Sequence, residues 1–373
     1  MLDLETISVI IFFALIALLL IRYRGKYEFN HGLIIKRWQR GKEVIDKLIG
    51  HKRILAAIGN FGIIVSLLAS LSGLYFLFQY TIKLESAFQP VLPSVGGFDY
   101  PGPIISIPFW YWIIGIFIII FFHESMHAVF VRLEKIKLKS YGVMLFFVLP
   151  IGAFVDPDEN ALKRLGLWKK LRILAAGSFA NIVLSFVFLL LSFVFFANMY
   201  TPTGVGFTGL VNNSPAFYAN LTGTIVTMDS TPMKTAEDFS HFLSQNPPGS
   251  EIKVTTTKGI YQLTTVPKPN ATGSFLGVVN AFTVFEVVTN LKSYSLVMGW
   301  INGLLIWLFI LNFGVGVANM LPIKPLDGGL FYEAILERIF KGYGKKLILI
   351  ISLIIVFIFL FNMFGPSIIK SFV

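Results

Sequence analysis

The sequence contains no cysteine and little charge, and both absences limit what the protein can be. Without cysteine the chain has no disulfides, no thiol nucleophile and no thiolate ligands for a metal ion. Only 14% of its 373 residues are charged, against about 25% in a typical soluble domain, whereas 55% are hydrophobic. A chain with so few polar residues cannot cover the surface of a globule in water. Most of the chain must therefore lie in lipid. These proportions exclude a cytosolic enzyme and a disordered chain.

Six hydrophobic runs are long enough to cross the roughly 30 Å of a bilayer core, which requires about 20 helical residues. They lie at residues 6–22, 56–80, 109–130, 168–198, 298–320 and 346–366. The first run has an acidic start and basic residues after it, the reverse of a cleaved signal peptide, so we expect it to remain as an anchor. The sequence therefore predicts a polytopic α-helical membrane protein with six transmembrane helices, multi-pass in the cell membrane.

The formal charge of +11 is explained by where the 31 basic residues lie. The loops at 22–55, 131–172 and 321–347 hold 24 of them, and the segments on the alternate side hold 7. Because Lys and Arg stay on the cytoplasmic side, we expect both termini and the polar stretch 199–297 to lie outside. This distribution argues against a nucleic-acid partner and favours contact with anionic lipid of the bilayer.

Ionisable side chains inside an apolar run are costly and indicate function. His123 and His127, in FFHESMHAVF, are four residues apart, so on a helix both imidazoles lie on one face and can share a zinc ion. Glu124 lies beside them, suited to accept a proton from an attacking water. The alternative is two packed histidines and a buried glutamate, but three unpaired polar groups in lipid would be costly.

A catalytic zinc usually has three protein ligands, and without cysteine the third should be a histidine or a carboxylate. Asp327, in NMLPIKPLDGG, lies at the cytoplasmic end of the fifth predicted span. The HExxH motif lies toward the cytoplasmic end of the third span, so we expect both motifs at a similar depth in the membrane. The prolines and glycines there would break the helix and let irregular backbone line a wet cavity. The alternative is a helix-end carboxylate beside Lys324.

HExxH in one span, followed by N-x-x-P-x-x-P-L-D-G in a later one, resembles the site-2 protease family of intramembrane zinc metalloproteases. GAFVDP (152–157) is similar to that family's membrane-associated strand segment. AAGSFAN (175–181) is similar to its Gly and Asn motif in the following span, although Ser178 stands where many relatives have proline. The resemblance extends from about residue 109 to 335, outside the polar insertion.

This resemblance implies roles for particular residues. It implies one catalytic zinc ion held by three ligands: His123, His127 and Asp327. It makes Glu124 the catalytic acid/base. It implies that Asn181 helps to place the substrate backbone, with Gly152 and Phe154 of the strand segment as further substrate-binding residues. On physical grounds alone, a helix–helix hydrogen bond is an alternative role for Asn181.

Residues 140–157 are apolar, β-branched and aromatic, with Gly142, Pro150 and Gly152 as breaks, which favours a membrane-associated, re-entrant β-hairpin. A peptide bond inside a transmembrane helix is shielded, so a substrate must unwind before it is cut. An exposed strand edge can supply new partners for the freed backbone groups by β-addition. An ordinary amphipathic connector is the alternative.

The polar stretch that begins at residue 199 changes character. TGTIVTMDS and GSEIKVTTTKGIYQLTTV are typical of strands, and TAEDFSHFLSQN of a short helix capped by Thr235 and Asp238. The order resembles a small α+β PDZ-like domain, and GVGF (204–207) is similar to a terminus-binding loop. A PDZ-like domain would imply an exterior peptide as partner, and the alternative is a domain that acts only as a structural cap. For GVGF, the alternative is a plain turn. Residues 270–297 are expected to lead into the fifth span through an interfacial helix.

We therefore divide the chain into four parts: two N-terminal helices with a basic cytoplasmic loop (1–80), the first half of a catalytic membrane core (81–198), the exterior PDZ-like domain and linker (199–297), and the second half of the core with the last helix (298–373). The predicted function is an intramembrane zinc endopeptidase that cuts transmembrane or membrane-anchored proteins near the cytoplasmic face, in regulated intramembrane proteolysis.

Two alternatives to this function remain. One is a membrane zinc protease with its active site in water and a glutamate as third ligand, for which Glu333 and Glu337 are the candidates. The other is a non-catalytic scaffold that binds exterior peptides, or a metal transporter.

Overall fold

The structure is a computed structural model that describes residues 3–30, 33–38, 45–46, 49–86, 88–147, 149–269 and 273–370. Two compact units divide the chain, one formed by residues 1–190 with 304–373 and the other by residues 191–303. The helices in the described residues are α1 (Leu4–Arg22), α2 (Lys52–Ile82), α3 (Phe109–Leu133), α4 (Glu159–Lys163), α5 (Leu167–Met199), α6 (Pro215–Tyr218), α7 (Ala236–Gln245), α8 (Ser295–Ala318), α9 (Asp327–Ile339) and α10 (Gly344–Lys370).

Six helical stretches of the described residues are long and apolar enough to cross a membrane. They correspond to α1, α2, α3, α5, α8 and α10, and their bounds are Leu4–Arg22, Ile49–Ile82, Phe109–Leu133, Leu167–Met199, Thr289–Ala318 and Gly344–Pro366. The six predicted runs are therefore confirmed as helices, with ends displaced by at most a few residues except at the start of the second and fifth. Length and apolar composition make them candidate spans of a multi-pass membrane protein.

The strands of the first unit are β1 (Glu28–Asn30), β2 (Leu33–Trp38), β3 (Val91–Ser94), β4 (Ile105–Pro108), β5 (Leu138–Phe146) and β6 (Leu149–Pro157). Four of them form an antiparallel sheet in the order β1-β2-β5-β6, and β3 pairs with β4 in parallel. The β5–β6 pair covers the segment expected to form a hairpin. Its association with a membrane stays a prediction.

Gly142, Pro150 and Gly152 were expected to interrupt this hairpin, and that expectation is wrong because all three lie inside strands. Gly142 is central to the sheet, where Arg37 is its partner on β2 and Phe154 its partner on β6. A Cβ at Gly142 would lie 2.7 Å from the Phe154 ring and would also collide with the Lys36 carbonyl oxygen. Glycine is needed here for close approach, not for a turn.

Helix α2 packs against the rest of the first unit through a face of small residues. The buried small residues on this face recur every three or four positions: Gly59, Gly62, Ser66, Ser70 and Gly73. A Cβ at the three glycines would press on α3, α5 and α8 respectively, at Phe130, Phe179 and Val317. The hydroxyls of Ser66 and Ser70 contact α5 and α9, since Ser66 Oγ donates to the Ala175 carbonyl (3.3 Å) and Tyr332 Oη donates to Ser70 Oγ (3.0 Å). Small side chains permit such close helix packing in lipid.

Helix α1 lies against the start of α3. Phe12 and Phe13 pack edge-on against Phe109, with ring centroids 5.7 and 5.5 Å apart, and the Trp110 Nε1–H donates to Ser8 Oγ at 3.0 Å. These contacts hold the first half of α1, while much of the rest of its surface consists of exposed apolar side chains, as expected of a helix that faces lipid.

The second unit is a small α+β structure. Its strands are β7 (Tyr200–Gly206), β8 (Gly209–Leu210), β9 (Ile225–Met228), β10 (Thr231–Pro232), β11 (Glu251–Thr256), β12 (Ile260–Thr264), β13 (Val266–Pro267), β14 (Ser274–Phe275), β15 (Val278–Val279) and β16 (Phe282–Val287). The main antiparallel sheet has the order β12-β11-β9-β7-β16. Thr235 and Asp238 form the predicted capping box at the start of α7, where the Asp238 N–H donates to Thr235 Oγ1 at 3.1 Å.

One expectation for this unit is wrong, and a second is met only in part. Residues 204–206 of GVGF end strand β7 instead of forming a loop, and Gly206 lets the ring of Phe282 approach from β16. The helix expected to lead from 270–297 into the fifth span begins only at Thr289, because β16 occupies Phe282–Val287. Thr289–Tyr294 form a 3₁₀-helix that continues into α8, and an interfacial position for it stays a prediction. The β-branched and aromatic residues of FTVFEV are typical of a strand.

Candidate metal centre

Helix α3 presents both histidines of HExxH on one face. His123 and His127 are one turn apart, and their Nε2 atoms lie 3.1 Å from each other. The His123 side chain is 9% exposed and that of His127 is 13% exposed, so both rings are largely withdrawn from solvent. The four-residue spacing acts as predicted, since side chains at i and i+4 meet on a helix.

Asp327 reaches the same point through a tight turn between α8 and α9. Helix α8 ends at Ala318, and Asp327 is the first residue of α9. The Gly328 N–H donates to the Asn319 carbonyl at 2.7 Å, which closes the turn. A Cβ at Gly328 or Gly329 would collide with the backbone of residues 320–324, so only glycine fits after Asp327.

The turn places Asp327 Oδ2 3.0 Å from His123 Nε2 and 3.1 Å from His127 Nε2. A metal ion can be shared by His, Cys, Asp or Glu side chains whose ligand atoms lie close together. Among the described residues, these three side chains form the one group that meets this condition. Bonds from zinc to nitrogen and oxygen are about 2.0–2.2 Å long, so a triangle with sides of 3.0–3.1 Å is small enough for one ion to reach all three atoms.

Gly177 of α5 packs closely against the two imidazoles. A Cβ at this position would lie 2.5 Å from Nε2 of both His123 and His127. Glycine therefore leaves free the space next to the two nitrogens that would bind an ion. The two nitrogen donors and one oxygen donor, together with this space, fit a catalytic zinc that keeps a position open for a reactant.

The outer nitrogen of each imidazole has a partner on α5. His127 Nδ1 lies 2.8 Å from the Ile173 carbonyl oxygen, which can only accept, so this Nδ1 carries the proton and leaves Nε2 free to bind metal. His123 Nδ1 lies 3.1 Å from the side-chain amide of Asn181, which is fully buried. Partners of this kind fix the tautomer and the orientation of metal-binding histidines.

Glu124 lies between the metal centre and the sheet. Its carboxylate is close enough to both histidines and Asp327 to interact with their charges, and it lies against the Val155 backbone of β6. It also lines a cavity of about 310 Å³ between α3 and strands β5 and β6. Gly152 and Phe154 line the same cavity. Asn181 does not line it but contacts His123, so its predicted contact with substrate stays a prediction.

The two glutamates considered as alternative third ligands have other partners. Glu333 forms an ion pair with Lys324. Glu337 Oε1 accepts a hydrogen bond from the Gly342 N–H at 2.9 Å. Of the three carboxylates, Asp327 is the one that contacts the histidines, which favours the ligand set implied by the resemblance.

Sequence reasoning missed several contributors to this site. The Ile173 carbonyl gives no signal in a sequence, because every residue has one. Position 177 must be glycine because it contacts two imidazole rings on α3, and that contact depends on how α5 packs against α3. Trp38, which also lines the cavity, lies far from the HExxH motif in the chain and joins it only through strand pairing.

Comparison with known proteins identifies the family. The sequence model of Peptidase family M50 matches residues 111–363, which include both halves of the metal centre. An uncharacterized protein of Methanocaldococcus jannaschii, MJ0971, is 28% identical over 313 residues, covering 82% of this chain and 79% of that protein. The family match spans more than half of the chain. The chain therefore belongs to peptidase family M50, the site-2 protease family, whose members are membrane-embedded, zinc-dependent metallopeptidases.

Proposed function

We propose that the protein is an intramembrane zinc endopeptidase that cuts transmembrane or membrane-anchored proteins near the cytoplasmic face. The observation that carries this proposal is the convergence of His123, His127 and Asp327 within hydrogen-bonding distance, with Glu124 beside them and lining an adjacent cavity. A structural zinc site would have four protein ligands. Here there are three, and the carboxylate of Glu124 lies beside them at a cavity.

Each residue of the centre has a proposed task. His123, His127 and Asp327 would hold the ion, which when bound supplies a Lewis acid for the peptide carbonyl and for water. Glu124 accepts a proton from the attacking water as the new carbon–oxygen bond forms. It then delivers that proton to the departing amine as the carbon–nitrogen bond breaks. Water is consumed and no other reactant is needed.

Strand β6 is the proposed docking edge for an unwound substrate. In the order β1-β2-β5-β6, β6 has β5 on one side and no strand on the other among the described residues. An extended peptide can add there by backbone hydrogen bonds. Because the Glu124 carboxylate lies against Val155 of β6, a peptide on this edge would run close to the proposed general base.

We extend the proposal to the second unit and to orientation. The distribution of Lys and Arg supports an active site toward the cytoplasm and residues 199–297 outside. An antiparallel sheet with the capped helix α7 supports a PDZ-like domain, whose proposed partner is an exterior peptide of a substrate trimmed beforehand. Regulated intramembrane proteolysis is the process that such an arrangement serves.

The test is cleavage of a purified single-span protein in liposomes, with products identified by mass spectrometry. Glu124→Gln should lower the cleavage rate about 10²–10⁴-fold, the usual loss when a general acid/base is removed, and should keep its bound zinc. Glu159→Gln, at an exposed position of α4, is the matched control and should cleave as the wild type does. If Glu124→Gln cleaves as fast as the wild type, the mechanism is wrong.

A second experiment separates this proposal from its alternatives. Asp327→Asn should lose zinc, measured by elemental analysis, whereas Glu333→Gln should retain it. The opposite result would favour a glutamate as third ligand. A zinc-loaded wild type that cuts no substrate within the membrane would instead favour a scaffold or a metal transporter.

A further inference from the structure

Part of the cavity wall beside Glu124 comes from outside the segment that matches the family. The family match begins at residue 111. Trp38 and Ile45, from the segment between α1 and α2, nevertheless line the cavity together with Glu124. The residues that complete this wall therefore come from a part of the chain that the family comparison does not cover.

Strand pairing holds Trp38 in position. Six consecutive residue pairs join β2 to β5, from Leu33 with Phe146 to Trp38 with Tyr141. The rings of Trp38 and Tyr141 meet edge-on, with centroids 5.3 Å apart. Cross-strand aromatic pairs of this kind stabilise a sheet. The position of the Trp38 ring is thus set by the sheet rather than by a free loop.

Arg37, the neighbour of Trp38, ties β2 to the proposed docking edge. Its guanidinium carbon lies 4.7 Å from the centroid of the Phe154 ring, and Nη1 lies 3.8 Å from Asp156 Oδ2, both on β6. Gly142 separates Arg37 from Phe154 in the register and has no side chain to block this contact. Arg37 therefore links β2 to β6 across β5.

The chemistry of the cavity indicates what it can hold. Its volume of about 310 Å³ is at the lower end of the range of about 300–1,000 Å³ for ligand pockets. Apart from Glu124 and Ser125, its lining side chains are aliphatic or aromatic, or the residue is glycine. Such a lining favours an apolar group and gives no set of donors for a polar or charged ligand.

Resting on the proposed peptidase function, we propose that this cavity is a specificity pocket for one large apolar side chain, such as leucine or phenylalanine, next to the scissile bond of the substrate, and that Trp38 limits its depth. A peptide added to β6 would direct alternate side chains to opposite faces of the sheet. A side chain directed toward α3 enters the cavity, and Glu124 in its lining places that residue beside the bond being cut.

The experiment varies the substrate and the pocket together, as in a double-mutant cycle. After the cleavage site of the single-span substrate is mapped, the two flanking residues are each made Leu, Phe and Ala, and kcat/KM is measured in liposomes. The wild type should prefer Leu or Phe to Ala at one position by about 10–100-fold, the discrimination typical of an apolar pocket.

Two variants should change this preference in different ways. Trp38→Ala removes the side chain that limits the depth of the pocket, so kcat/KM for Phe relative to Leu at this position should rise. Ala153→Leu adds bulk to the lining and should reverse the preference toward Ala. Trp168→Ala, at an exposed tryptophan that does not line the cavity, is the matched control and should keep the wild-type preference. Zinc content is measured for each variant, so a misfolded protein is recognised.

The possible results separate failure of the pocket from failure of the proposed function. If zinc-loaded wild type cleaves the substrates but Trp38→Ala and Ala153→Leu keep its preference, the pocket assignment is wrong and the peptidase function stands. If a lipid acyl chain occupies the cavity, these variants should change the rates of all substrates by one common factor, which would also overturn the assignment. If no substrate is cut by the wild type, the proposed function itself fails.

Discussion

At the scale of single residues, the contact of Asn181 with His123 determines how the Asn181 amide must be oriented when metal is bound. Its Nδ2 lies 3.1 Å from His123 Nδ1, while its buried Oδ1 has no hydrogen-bond partner. A neutral histidine that binds metal through Nε2 carries its proton on Nδ1 and needs an acceptor there. The two ends of an asparagine amide are nearly the same size, so turning the amide over provides that acceptor. Asn181 then orients His123 as the Ile173 carbonyl orients His127.

Asn181→Ala should lower zinc affinity about 10–100-fold, because it removes the hydrogen-bond partner of a metal ligand. Asn181→Asp should restore most of that affinity, since its carboxylate can accept from Nδ1–H. The measurement is zinc retention against a competing chelator, which does not depend on activity. Asn312→Ala is the control: Asn312 is equally buried, but its Nδ2 donates to the Leu308 carbonyl and it is not part of the metal centre. Equal zinc loss in both variants would contradict this role.

The ligand residues could be predicted because local rules carry their information. The spacing of His123 and His127 follows from helix geometry. For the third ligand, the lack of cysteine left a histidine or a carboxylate, and the resemblance of the proline- and glycine-rich motif to the family pattern implied Asp327. Gly177 has no such local rule, because what makes it necessary is the pair of imidazoles, about 50 residues earlier in the chain, against which it packs. The motif AAGSFAN therefore includes the glycine, but the sequence alone gives no reason why a glycine is needed there.

At the scale of elements, α2 explains how the first unit is held together. The glycines on its buried face bring it against α3, α5 and α8, all of which carry or support parts of the metal centre. In lipid no hydrophobic effect drives helices together, so close packing of small residues is a main source of their association. A helix outside the family match therefore supports the geometry of residues within it.

Gly59→Leu should destabilise the protein by about 1–3 kcal/mol, the usual cost of overpacking a closely packed site. Even a Cβ there collides with the Phe130 ring, which is fully buried and has little room to move. The measurement is the thermal midpoint in detergent. Gly314→Leu is the matched control, because Gly314 is also in an apolar helix but has no neighbour within 4 Å of an added Cβ. A similar fall for both variants would contradict specific packing at Gly59.

Strand pairing is the part of the fold that sequence patterns described least well. The pattern of 140–157 favoured strands and identified β5 and β6 nearly to their ends. It could not show that β2 would join them, because a strand only six residues long pairs with a segment more than 100 residues later. The same limit made Gly142 look like a turn, since a glycine needed for close approach of another strand has the same local sequence signal.

At the scale of the whole molecule, hydropathy and charge carried different information. Hydropathy predicted the six apolar helices, because the thickness of a bilayer sets their length. It indicated a polar stretch at 199–297, and the second compact unit is wider, at 191–303. The unit is wider because it also includes the C-terminal end of α5 and the N-terminal end of α8, which are parts of apolar spans. Charge added a prediction of which loops face the cytoplasm.

The lack of cysteine makes that prediction directly testable, because any introduced cysteine is the only thiol in the chain. Tyr218→Cys, at an exposed position of residues 191–303, should react with a membrane-impermeant thiol reagent on intact cells. Asn160→Cys, exposed between β6 and α5 in a basic loop, should react only after permeabilisation. This result follows if Lys and Arg remain on the cytoplasmic side, where they outnumber those outside by 24 to 7.

The reverse labelling would contradict the predicted orientation. The ends of α3 and α8 that carry the metal centre would then lie toward the exterior face of the membrane. Cleavage would then occur near the exterior surface, so the side of the substrate that is released would change even though the chemistry at Glu124 did not.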